Sequence, residues 1–144
     1  MTEYYIWLQL AFGAGCKKTD LILQQNDIKK FYQQVQAGQS FPFLTQPDLN
    51  KLKKASIEKA RKIALRTKEL GYEIIYYGSR LYPKVIYNLY EKPAVLYTQG
   101  NPAALMNTLS IGIVGSRELS DYGLQACRKI GGALAAAGVH IISG

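Results

Sequence analysis

Apolar positions in the first half of the chain recur with the period of a helix. Tyr5 to Ala11 is an apolar-rich run broken by Gly13-Ala14-Gly15, and Thr19 or Asp20 can cap a second helix through Leu21, Ile22 and Leu23. This predicts a helix, tight turn, helix unit. Asp27 to Gln36 predicts another helix, ended by Gly38, and Ser40 to Pro47, with two prolines, predicts a connector. From about Asp48 to Leu70, Ile57, Ala60, Ile63 and Ala64 recur at helical spacing. One long helix is expected there, its apolar stripe turned inward, its lysines outward and Gly71 as its left-handed stop.

The period then changes. Glu73 to Tyr77 and Val95-Leu96-Tyr97 are short β-branched and aromatic runs that read as strands, with a turn or short helix beginning at Tyr82-Pro83 between them. Ile111 to Val114 predicts a buried strand, Gly115 to Asp121 a loop, Tyr122 to Ala137 a helix stopped by Gly138, and Val139 to Ile142 a second strand. The last four elements make a βαβ unit with a parallel crossover. The expected fold class is therefore α/β. Residues 1–70 form a small helical domain, and residues 71–144 form an extension followed by the first βαβ unit of a Rossmann-like, doubly wound sheet. The sequence stops at Ser143-Gly144, directly after the second strand, where such a sheet would need further strands, so a piece of a longer protein is expected.

Composition narrows the function classes. With 144 residues, 48% hydrophobic and 19% charged, the chain has the balance of a globular protein. No apolar stretch approaches the roughly 20 residues of a membrane span and no basic leader precedes an apolar run, so a cytoplasmic protein with no membrane contact is expected. Cys16 and Cys127 lie far apart without a CxxC pair, and His140 is the single histidine. A structural zinc site is not expected, and the two thiols read as reduced, buried small residues. His140, between Val139 and Ile141, reads as a strand residue with a hydrogen-bonded or solvated ring. The net charge of +8 is concentrated early: residues 1–70 carry +6 and residues 71–144 carry +2. Lys51, Lys53, Lys54, Lys59, Arg61, Lys62, Arg66 and Lys68 surround a single acid, Glu58. Such a run attracts a polyanion whatever its sequence, although a solvated helix face has the same composition.

The segment that carries candidate chemistry is Gly115-Ser116-Arg117-Glu118-Leu119-Ser120-Asp121-Tyr122-Gly123. Gly115 allows a sharp turn and a close approach to a ligand, Ser120 can cap the following helix, and Arg117 brings a forked cation to the helix start. A loop outside the carboxyl end of a parallel strand is where open α/β sheets bind ligands, and an anion such as phosphate suits it. The spacing is not that of a dinucleotide fingerprint, since the glycines are Gly112, Gly115 and Gly123. It equally fits a plain strand-to-helix turn with Arg117 as a surface charge.

The run from Leu70 to Gly144 resembles the DNA-processing protein A family, also called DprA or Smf, through this G-S-R-x-x-S-x-Y-G loop and the Ser143-Gly144 that begins the family's next glycine-rich segment. Tyr82-Pro83, Lys92-Pro93-Ala94-Val95-Leu96-Tyr97 and Gly100-Asn101 resemble the extension before that loop, and Trp7-Leu8 with Gly13-Ala14-Gly15 resembles the family's N-terminal SAM-like or helix-hairpin-helix domain. The resemblance implies a non-enzymatic role without a cofactor: binding and protecting single-stranded DNA, and loading the RecA recombinase during natural transformation. It further implies that the full-length protein is a homodimer. By position, Arg117 would contact a DNA phosphate, with Gly115 and Ser116 shaping the pocket. Ser120, Tyr122 and Gly123 belong first to loop and helix-start geometry, and Lys53, Lys54 and Lys62 form an auxiliary basic surface. Tyr76, Tyr77 and Tyr97 fall in strand candidates where aromatics pack, and no tyrosine is assigned to DNA. Two other classes stay open: a Rossmann-type phosphoribohydrolase, whose P-G-G-x-G-T loop is absent from these residues, and a helical adaptor whose basic domain binds a protein.

Overall fold

Three consecutive residues of the first helix, Ile6, Trp7 and Leu8, are almost wholly out of solvent. A helix buried on successive positions is enclosed from several sides rather than seated on one stripe, and α1 (Thr2–Phe12) is the axis about which the first part of the chain packs. The computed structural model describes residues 1–24, 27–106 and 109–144 and divides into two compact units, Met1–Pro102 and Ala103–Gly144.

In the first unit α1 is followed by α2 (Lys17–Leu23), α3 (Ile28–Gln36), α4 (Gln46–Lys54) and α5 (Ile57–Glu69). An antiparallel pair follows, β1 (Glu73–Tyr76) with β2 (Val95–Thr98), registered from Glu73 opposite Thr98 to Tyr76 opposite Val95. A 3-10 helix over Lys84–Asn88 lies between the strands, as the Tyr82-Pro83 turn predicts. The other four helices and both strands contact α1. The Trp7 indole N–H donates to the Leu52 carbonyl at 3.1 Å, satisfying one of the carbonyls left open at the end of α4. Gln9 accepts the Val95 N–H at 3.0 Å, and the Tyr5 ring stacks on Tyr76 at 4.8 Å, fixing the strand pair to the same helix.

The single helix expected over Asp48 to Leu70 is two. Ala55 is extended, with φ −65° and ψ 125°, and Ser56 starts a new helix by accepting the Lys59 N–H at 3.1 Å. A serine placed three residues ahead of a free amide competes with helix continuation, and the bend lets Leu52 and Ala60 both reach the core. The stripe of Ile57, Ala60, Ile63 and Ala64 does face inward, and Gly71, at φ +74°, follows the end of α5. The proposed caps of α2 also differ. Cys16 is its N-cap residue, Thr19 is fully buried, and Asp20 instead receives Lys92 Nζ at 2.7 and 2.9 Å in a largely buried ion pair. Beside that pair, Gly15 has φ +79°, and a Cβ there would meet the Glu91 carbonyl oxygen at 2.9 Å, so only glycine lets the turn pass. The β1–β2 pair packs on α1 and α5 and so belongs to the same compact unit as the helices.

The second unit holds β3 (Ser110–Gly112), α6 (Asp121–Ala136) and β4 (His140–Ile142), with β3 and β4 parallel and Ser110, Ile111 and Gly112 opposite His140, Ile141 and Ile142. The molecule is thus a mixed α/β structure. The strand expected to be buried is exposed along β3, because two strands and one helix leave a sheet face and both edges uncovered. The same shortage of cover leaves Cys127 on α6 exposed, while Cys16 is half-buried, against the expectation that both thiols lie inside. The His140 ring donates from Nδ1 to the Ala104 carbonyl at 3.0 Å. No helix among the described residues is long and apolar enough to cross a membrane.

One polar centre in the first unit has a pH signature. Asp48 is buried at the start of α4, where it accepts from the Thr45 N–H at 2.8 Å, the Thr45 hydroxyl at 2.5 Å and the Lys18 ammonium. Burial raises its pKa, but the hydrogen bonds from Lys18 and Thr45 outweigh it and hold the carboxyl at about 2, below its ordinary 3.8. A pKa depressed in the folded state contributes stability above the unfolded value and loses it as pH falls through the folded one. Denaturant unfolding should therefore show about 2 kcal/mol lost between roughly pH 4 and pH 2 in the wild-type protein, and a shallower loss in Asp48→Asn, which starts less stable at neutral pH. Equal slopes in the two proteins would mean that Asp48 does not carry the acid sensitivity.

Candidate nucleic-acid interface

β3 ends at Gly112, and the backbone runs through residues 113–119 to the start of α6. Ser120 is the N-cap of that helix, with φ −77° and ψ 158°, and its hydroxyl accepts the Gly123 N–H at 3.1 Å. Gly123 is fitted to this arrangement, since an added Cβ would stand 3.3 Å from the Ser120 oxygen. Asp121 lies in the first turn, where a carboxylate is favoured by the helix dipole. Ser116 turns its hydroxyl back to accept the Glu118 N–H at 3.1 Å, a local serine turn that sets the loop and engages the side-chain oxygen internally.

Gly115, Ser116 and Arg117 line an open cleft of about 760 Å³ together with Ser120 and Gly123. Its far wall is α6, through Ala126, Cys127, Ile130 and Leu134. The loop motif does not point to these walls, although Gly123, Cys127, Ile130 and Leu134 recur at the spacing of one helical face. Tyr122 does not line the cleft and is 81% exposed. Arg117 is exposed, makes no hydrogen bond or ion pair with the described residues, and is the single cation among the lining side chains. Glu118, the lining carboxylate, follows it directly.

Of the two reasons expected for Gly115, a sharp turn is not one the backbone shows. Its φ is not positive, and an added Cβ would find nothing within 4 Å. Neither the turn nor crowding within the chain calls for glycine, which leaves the space in front of its backbone as what the residue provides.

The other basic residues singled out in the sequence belong to the first unit. Lys53 and Lys54 are exposed in the last turn of α4 and Lys62 is exposed on α5. Lys54 lines a separate, smaller cleft of about 280 Å³ with Lys51, Lys59 and Ser56, and Lys53 and Lys62 do not reach it. Among the tyrosines, Tyr76 packs on Tyr5, and Tyr77, Tyr82 and Tyr87 form a cluster with ring centroids 5.1 to 5.5 Å apart. Tyr82 is buried and donates to the Pro93 carbonyl at 2.7 Å, which ties the Tyr82-Pro83 turn to the strand β2.

Known proteins are similar to this chain. The chain is 34% identical over 77 residues to the DNA processing protein DprA of Bacillus subtilis, covering 54% of this chain and 26% of that protein. It is 34% identical over 88 residues to the protein Smf of Borreliella burgdorferi, covering 61% of this chain and 27% of that protein. The chain spans about a quarter of the length of these curated relatives. A family model described as DNA recombination-mediator protein A matches residues 73–144, from the first residue of β1 through the loop that carries Arg117 and on past β4 to Gly144. That match takes in half of the sequence, and the chain belongs to the DNA recombination-mediator protein A family.

Proposed function

We propose that this protein is a non-enzymatic, cytoplasmic single-stranded-DNA-binding mediator of recombination, and that a DNA phosphate sits in the cleft over Gly115, Ser116 and Arg117. The observation that carries the reading is the state of Arg117: an exposed guanidinium, without an internal partner, is the one cation of a cleft whose other lining side chains are apolar or hydroxyl-bearing apart from the Glu118 carboxylate, beside a capped helix start. A free planar fork at that position matches two phosphate oxygens at once. Gly115, which the chain itself does not need as glycine, leaves room for the backbone to approach the same anion. Two carboxylates, Glu118 and Asp121, follow within four positions, so attraction here depends on directed contact rather than on a diffuse positive field.

Family membership supports a wider role. The protein would protect single strands and load the RecA recombinase in natural transformation, acting as a homodimer. The parallel β3–β4 pair with its crossover helix would be the first unit of a Rossmann-like sheet, and its exposed Ile111, Val114 and Ile142 suit strands that pair and pack further in such a sheet. Residues 1–70 would be the SAM-like helical domain and residues 71–144 the extension and first βαβ unit.

Arg117→Ala should lower affinity for a labelled single-stranded oligonucleotide by about one to two decades, the value of a charge-assisted contact of roughly 1.5 to 3 kcal/mol, and leave the melting curve unchanged. Arg117→Lys should recover part of the loss, since it keeps the charge without the fork. At one fixed salt concentration the wild-type protein should prefer single-stranded to duplex DNA, because a purely electrostatic surface has no reason to favour the less densely charged strand. Wild-type affinity in Arg117→Ala would reduce the residue to a surface charge.

A further inference from the structure

The cleft between the end of α4 and the start of α5 is an unneutralised cationic site. Lys51 and Lys54, three residues apart on α4, and Lys59 on α5 converge on it, over a floor made by Leu10 and Ala11 of α1 with Ala55 and Ser56. The acids near these helices are committed elsewhere. Glu58 holds Arg61 at 2.7 Å, Glu69 holds Arg66 at 3.2 Å, and Asp48 holds Lys18. Among the described residues none of the three lysines forms an ion pair.

Two of these lysines have an internal explanation and the third does not. Lys51 and Lys54 stand in the last turn of α4, where a cation complements the helix dipole. Lys59 is the third residue of α5, where a cation opposes the dipole and faces two like charges across the cleft. An anion held between the three ammoniums removes both penalties. From Lys59, exposed Lys62 continues at i+3 along one face of a helix about 20 Å long, and Arg66 at i+7 is the cation held by Glu69. A line of cations leading out of a cleft suits an extended polyanion better than a compact one.

We propose that Lys51, Lys54 and Lys59 grip one phosphate of a nucleic-acid backbone whose next phosphate meets Lys62, a second contact site on the first unit separate from the Arg117 loop. It rests on the reading of this protein as nucleic-acid-binding, and it goes beyond a diffuse basic surface in naming which cations converge and where the strand leaves.

The test compares two triple variants of equal charge in the full protein: K51Q/K54Q/K59Q at the cleft and K29Q/K30Q/K84Q at exposed lysines away from it. Each is titrated with a single-stranded oligonucleotide and its duplex over a salt series, with R117A alongside. The cleft triple should weaken binding tenfold or more and reduce the salt slope by about 0.7 to 0.9, the value of one lost phosphate contact, and the distant triple should cost less than threefold. Equal losses in the two triples would overturn the site and leave only a general field. If R117A binds as wild type while the cleft triple is weakened, the loop reading fails and this one stands; if R117A collapses while the two triples match, the reverse holds. Polyglutamate binding as tightly as the oligonucleotide, and through the same three lysines, would also overturn it, because the site would then recognise acidic protein. Without nucleic acid, K59Q should melt at or above the wild-type temperature; a lower value would make Lys59 a structural residue and contradict the proposal.

Discussion

The burial of Trp7 is the constraint on which the first unit depends. Its ring occupies the centre of α1 with Ile6 and Leu8 beside it, packs against Phe31 and Tyr32 of α3, and binds the Leu52 carbonyl at the end of α4. An indole without an acceptor would carry the full cost of a buried unpaired donor, so the position of α4's last turn is tied to that of α1. The bend at Ala55-Ser56 follows, since α5 must also reach α1 from the end of α4. That bend creates the lysine-lined cleft. A packing requirement in the core thus determines where positive charges converge on the surface.

The second unit is organised on the opposite principle. None of α6, β3 or β4 contains a buried residue, and what fixes the loop of Gly115 to Gly123 is local hydrogen bonding: Ser116 to the Glu118 amide and Ser120 to the Gly123 amide. Those bonds shape the backbone and leave Arg117 without an internal partner. Freedom of this kind is what a binding residue needs, because a guanidinium already held by a carboxylate would have to give up that contact before taking another.

Elements with a strong local signal were legible in the sequence. Asp27 does start α3, accepting the Lys30 N–H at 3.0 Å, and Ser120 caps α6, because both signals lie within three residues of what they act on. The break within Asp48 to Leu70 is not legible in the sequence because the helical period carries through Ala55 and Ser56, and only the need to pack both halves on α1 shows it. Asp20 looked like a cap, yet its partner Lys92 is 72 positions away, beyond any local rule. Burial of Ile111 to Val114 was inferred from composition, and composition says nothing of how many elements are present to cover a strand. Within the candidate site the loop was legible as a motif, but the α6 wall of the cleft and the convergence of Lys51, Lys54 and Lys59 depend on three-dimensional placement.

The central claim is that a phosphate of single-stranded DNA lies against the loop between β3 and α6. Amide and guanidinium 15N resonances of the uniformly labelled protein, followed as a short single-stranded oligonucleotide is added, test it most directly. The account predicts the largest changes at the amides of Gly115, Ser116 and Arg117 and at the Arg117 side chain. Changes confined to the first unit, with the resonances of residues 115–117 unmoved at saturation, would contradict it.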